Sequence, residues 1–99
     1  MAGLACGEVS VLAWDILHNG ADDFMTLSED AIPQAMQILA KDENHIEAGE
    51  SAVPGFAAAV LARQDSDYAT ALGLGSESKV LVIGTEGATD PELYRELVK

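Results

Sequence analysis

The chain has 99 residues, is 48% apolar, and carries a formal net charge of −12 from 17 Asp and Glu against five Lys and Arg. That composition describes one small globular domain. So few cations cannot neutralise many phosphates, which excludes nucleic acid and anionic membrane surfaces as natural partners. No apolar run reaches the length of a membrane span, the N-terminus lacks the basic stretch of a secretory signal, and Cys6 stands alone, as suits a reducing, cytoplasmic compartment.

Taken in order, residues 1–10 show no period and no cap, and read as an extended opening segment. Ser10 is placed to cap a helix through Val11-Leu12-Ala13-Trp14-Asp15-Ile16-Leu17, and His18-Asn19-Gly20 supplies its stop. Asp22-Asp23 opens a short strand, Phe24 to Leu27. Ser28-Glu29-Asp30 then caps a second helix with Ile32, Ala35, Met36 and Leu39 on one face, and Pro33 falls early enough to be tolerated.

Lys41 to Asn44 is a solvated turn, His45 to Ala48 a second short strand, and Gly49-Glu50-Ser51 the loop after it. The third helix runs from about Val53 to Arg63 and is apolar nearly all round, so it requires cover on more than one side. Asp65-Ser66-Asp67 caps a weaker helix, Tyr68 to Leu72, and Gly73 to Ser78 is a loop.

Val80-Leu81-Val82-Ile83 is a continuous apolar run, which predicts a strand buried on both faces. Gly84, Thr85, Glu86 and Gly87 follow, and Thr89-Asp90-Pro91-Glu92 starts a last helix, Pro91 to Val98. Strands alternating with helices predict an α/β fold, with short parallel strands and helices on the faces of the sheet. Three short strands close poorly by themselves, so the chain reads as part of a larger α/β domain. The exposed faces of the third helix and of the 80–83 strand predict a dimer or higher assembly.

Thr85 and Glu86 occupy the carboxyl end of the predicted strand, where open α/β sheets read small molecules, although spacing alone favours an ordinary strand-to-helix turn. Glu8, Glu50 and Glu86 each adjoin a glycine, and a carboxylate pair could do acid–base work if the fold joined two of them. His18 and His45 are far apart and form no metal-ligand spacing with Cys6, and Cys6 has no histidine tied to it as a base. Neither a dinucleotide nor a P-loop glycine pattern is present.

Three segments, GLACGE at the start, AGESAVPG in the middle and TEGATD near the end, resemble the C-terminal part of the diaminopropionate ammonia-lyase family. That family belongs to the pyridoxal-phosphate enzymes of the tryptophan synthase β (fold type II) group. The resemblance implies a three-layer domain of that type, of which residues 1–99 are a C-terminal portion. It also implies a homo-oligomer that converts 2,3-diaminopropionate to pyruvate and ammonia by α,β-elimination.

By the same resemblance, Thr85 hydrogen-bonds the pyridine nitrogen of the cofactor, Glu50 lies beside its ring, and Gly3-Leu4-Ala5 line the far side of the site. Glu8 and Asp90 fall in similar motifs without an assignable role. A neutral hydroxyl at the ring nitrogen suits elimination better than transamination. The cofactor-bearing lysine, the glycine-rich phosphate loop and the acid–base aspartates have no counterpart here, and Lys41, Lys79 and Lys99 match none of them. The resemblance therefore implies no catalytic residue in this chain, and a chain inactive and without cofactor by itself. The alternative is a stand-alone acidic α/β domain that mediates protein association without chemistry.

Overall fold

The computed structural model describes residues 1–99, the side chain of Ala2 excepted. The described residues form a short 3-10 turn, Ala2–Leu4, and five α-helices: α1 (Val11–Gly20), α2 (Ala31–Lys41), α3 (Pro54–Gln64), α4 (Ser66–Ala71) and α5 (Pro91–Leu97). The helices lie where local sequence puts them. Ser10 caps α1 by accepting the Ala13 N–H at 3.3 Å. Asp65 caps α4 by accepting from Asp67 and Tyr68, and Asp90 caps α5 by accepting from Glu92 and Leu93. Pro91 opens α5, where its missing N–H costs nothing. The predicted cap of α2 does not form as a side-chain bond: Asp30 makes none, and Ser28 Oγ instead accepts from the Asp30 N–H.

The predicted α/β fold is overturned. Among the described residues there is no strand and no sheet, and residues 24–27, 45–48 and 80–83 run without regular structure. A strand exists only through a ladder to a neighbour. The nearest thing to one is a single bond from the Gly49 N–H to the Glu86 carbonyl at 3.0 Å. Continuous hydrophobicity at 80–83 therefore does not report burial. Leu81 is 88% exposed and Ile83 78%. The opening segment differs too, coiling into the 3-10 turn rather than running extended.

The core lies where α2, α3 and the 52–53 segment meet. Ile32, Ala35 and Met36 of α2 pack with Val53 and with Ala57 of α3, and Leu27, Leu39, Phe56, Tyr94 and Leu97 close round them. Met36 and Val53 are the largest fully buried side chains. The 3.6-residue spacing of Ile32, Ala35, Met36 and Leu39 accordingly turns one face of α2 inward, as the sequence predicts. α3 packs between α2 and α4, but only Ala57 and Ala62 on it are buried. α5 returns to α2, where the Gln37 side-chain amide donates to the Leu97 carbonyl at 2.9 Å.

Two loops are brought together by this packing. His45 turns the chain out of α2 with φ of 48°, its ring Nδ1 3.2 Å from the Ala40 carbonyl. The following segment, 47–52, then runs alongside 84–88, just ahead of α5.

Candidate functional site

The meeting of these loops is organised by Glu86. Its carboxylate accepts the Ser51 N–H at 2.7 Å and the Thr89 hydroxyl at 3.2 Å, and its carbonyl accepts the Gly49 N–H. A second carboxylate reciprocates, since Glu47 accepts the Ala88 N–H at 3.3 Å. The Ser51 N–H, followed by the Thr89 hydroxyl, holds the Glu86 carboxyl below the usual carboxylate range, although partial desolvation pushes the other way. The approach is close enough to require glycine. A Cβ at Gly49 would collide with the Gly87 carbonyl oxygen and come within 2.8 Å of Glu86 Oε2. A Cβ at Gly3 would sit 2.7 Å from Ser51 Oγ.

Beside this clasp is a cavity of about 200 Å³ whose lining includes Gly3, Glu50, Glu86, Asp90 and Tyr94. The N-terminal ammonium lies 3.6 Å from Glu50 and 3.7 Å from Glu29. A cavity of about 360 Å³ between α3 and residues 74–80 shares none of this lining.

Of the residues singled out by sequence, Gly3 and Glu50 meet at the first cavity. Leu4 and Ala5 are exposed and do not line it. Thr85 is exposed on the 84–88 loop, next to the clasp but outside the cavity. Glu8 and Cys6 are exposed, and neither lines the cavity. Glu86, which the sequence offers as a small-molecule contact or one member of a carboxylate pair, lines the cavity with Glu50 and ties the loops together. Its flanking glycines, Gly84 and Gly87, with Gly49 in the facing loop, are the trace such a close backbone approach leaves in a sequence.

The donor set decides what the cavity can take. Three carboxylates line it, and among the described residues no lysine or arginine does. A phosphate placed there would meet three carboxylates against the one ammonium beside Glu50, so the lining does not fit the phosphate of pyridoxal phosphate. The exposed Thr85 hydroxyl is of the right type for a single ring nitrogen. Among the described residues, no group of three or more His, Cys, Asp or Glu is placed to hold a metal ion, and no helix is long and apolar enough to cross a membrane.

Comparison with known proteins bears out the resemblance seen in the motifs: the chain is similar to a part of diaminopropionate ammonia-lyases. Over 104 aligned residues, 99% of the chain is 38% identical to a stretch making up 26% of the diaminopropionate ammonia-lyase of Escherichia coli (strain K12). The diaminopropionate ammonia-lyase of Salmonella typhimurium is 30% identical over the same shares of the two chains. The chain thus spans about a quarter of the length of the curated relatives it matches. No family model and no solved structure matches.

Proposed function

We propose that these residues are a C-terminal portion of a pyridoxal-phosphate-dependent lyase that eliminates ammonia from 2,3-diaminopropionate to leave pyruvate. The observation that carries this reading is the match of 99% of the chain, at 38% identity, to a quarter of a diaminopropionate ammonia-lyase. Bound pyridoxal phosphate supplies the electron sink for such an elimination. Its attachment and its phosphate fall to residues other than these, consistent with a cavity lined by Glu50, Glu86 and Asp90. In this reading Thr85 donates its hydroxyl to the ring nitrogen, and Glu50 and Gly3 border the same site from the neighbouring cavity. The clasp of Glu86 on Ser51 and Gly49 holds the Thr85 loop against the Glu50 loop. The lyase is a cytoplasmic homo-oligomer, and the exposed 80–83 segment is a face available for assembly.

The test is a series at Thr85 in a full-length lyase carrying these residues. Thr85→Ala should weaken cofactor retention by roughly 1–3 kcal/mol, the value of one buried hydrogen bond, while Thr85→Ser retains it. Thr85→Asp should shift the cofactor absorption by keeping the ring nitrogen protonated. Equal affinity and spectra for Thr85→Ala and Thr85→Ser would remove Thr85 from the site. For the 99-residue chain alone, borohydride reduction with pyridoxal phosphate should label none of Lys41, Lys79 and Lys99 stoichiometrically. A single fully labelled lysine would overturn the assignment of the attachment site to other sequence.

A further inference from the structure

Thr85 and Glu86 are adjacent polar residues that the fold treats differently. Glu86 is half-buried and lines the cavity with Glu50, whereas Thr85 is exposed and stands outside it. The difference is made by bonds within the two loops, none of which involves a chain end. One oxygen of the Glu86 carboxylate accepts the Ser51 N–H at 2.7 Å, and the other accepts the Thr89 hydroxyl at 3.2 Å. Hydrogen bonds to a carboxylate are roughly twice as strong as those between neutral groups. The residue before Thr85 is seated as well: a Cβ at Gly84 would come within 3.2 Å of the Ala52 carbonyl oxygen. Thr85 thus lies between a glycine pressed on Ala52 and a carboxylate anchored at both oxygens. A rotation that released Glu86 from the cavity would carry Thr85 with it, because the two residues share one planar peptide unit.

We infer that Glu86 is a positioning residue: its carboxylate, fastened to Ser51 and Thr89, fixes the peptide between residues 85 and 86 and with it the direction of the Thr85 hydroxyl. This rests on the proposed lyase reading, in which Thr85 is a site residue, and adds that Glu86 acts through Thr85 and not by touching a ligand itself. Two other links between the loops do not use the Glu86 side chain: the Gly49 N–H donates to the Glu86 carbonyl at 3.0 Å, and the Ala88 N–H to Glu47 at 3.3 Å. They keep the loops together when that side chain is changed. The loss on removing the carboxylate therefore falls on the aim of Thr85, not on the meeting of the loops.

The test uses a full-length lyase carrying these residues, and reads cofactor retention together with hydrogen exchange of the cofactor-free protein. Glu86→Leu, which keeps the bulk but accepts no bond, should weaken retention at least about fivefold, as Thr85→Ala does. In the double variant Glu86→Leu/Thr85→Ala the second change should add less than about twofold, because the two residues act as one unit. Glu86→Gln, whose amide oxygen still accepts the Ser51 N–H, should stay within about threefold of the parent. Thr89→Val removes one donor and should give a smaller loss in the same direction, again absent in the Thr85→Ala background, and it decides the matter if Glu86→Leu does not fold. In the cofactor-free protein, exchange should rise at residues 84–89 in Glu86→Leu and not in Glu86→Gln, with α2 and α3 unchanged in both. Parental retention in Glu86→Leu, fully additive losses with Thr85→Ala, or equal losses for Glu86→Gln and Glu86→Leu would overturn the inference. Parental retention in Thr85→Ala alone would instead overturn the lyase reading of Thr85, and this inference with it, before any Glu86 variant is made.

Discussion

The two halves of this molecule treat hydrophobicity in opposite ways. In the α2–α3 region the buried set is modest in size: Ile32, Ala35, Met36, Ala52, Val53, Ala57 and Ala62. In α1 and residues 80–83, by contrast, Leu12, Ile16, Leu81 and Ile83 are exposed, although each is larger than most of the side chains in the core. Burial here is decided by whether a complementary surface is at hand, not by side-chain preference. Apolar area left in water marks a surface suited to contact with another.

The sharpest way to break this contrast is to truncate one side chain on each side of it. Met36→Ala should cost about 2–5 kcal/mol in denaturant unfolding, because it truncates a fully buried side chain of the core. Ile16→Ala should change stability by no more than about 0.5 kcal/mol. Comparable losses at both positions would mean that α1 is packed after all. Next in size is Gly49→Ala, which drives a methyl group into the Gly87 carbonyl and should cost about 1–3 kcal/mol by prising the two loops apart. An unchanged unfolding midpoint would mean that the loops are free to separate. Asp90→Ala removes both acceptor contacts at the start of α5, at 3.1 and 3.0 Å, and should cost about 1 kcal/mol. Thermal unfolding followed by circular dichroism would measure it.

The last effect concerns Glu86, and it is present at neutral pH and lost in acid. Its carboxyl titrates lower in the folded chain than in the unfolded one, so at acid pH the unfolded chain holds the extra proton. The stabilisation is therefore complete above the ordinary carboxylate range and is lost as pH falls through the folded-state value. Glu86→Gln should flatten that part of the stability-against-pH curve. The slope should not vanish, since Asn44 holds Asp42 low in the same sense, chiefly through its backbone N–H. An identical curve for the variant would mean that the clasp does not depend on the charge.

What could be read from the sequence follows the range of the interactions involved. The caps Ser10, Asp65 and Asp90, Pro91 at the first position of α5, and the inward face of α2 are set by neighbours three or four residues away, and all are legible. The three strands were not, because a strand is defined by a partner elsewhere. The run Val80–Ile83 carries the preference without the ladder. The candidate site divides in the same way. Gly3 and Glu50 do meet, but the residue that joins the loops is Glu86, whose partner Ser51 is 35 positions away. Thr85, its immediate neighbour, faces outward. No local rule distinguishes two adjacent polar residues in a turn when only one of them reaches back to a distant amide.

The clasp has a further consequence for the segment it encloses. The bond to Ser51 and the bond to Gly49 both end on Glu86, so one loop closure, spanning α3, α4 and the 73–83 stretch, serves both. The entropy of drawing the ends together grows only slowly with loop length and is spent once, so the second bond forms at little additional cost. The amides of Gly49 and Ser51 are in this sense closed together, and α3 and α4 hang within a ring whose seam is the carboxylate and carbonyl of Glu86 with the carboxylate of Glu47 beside them.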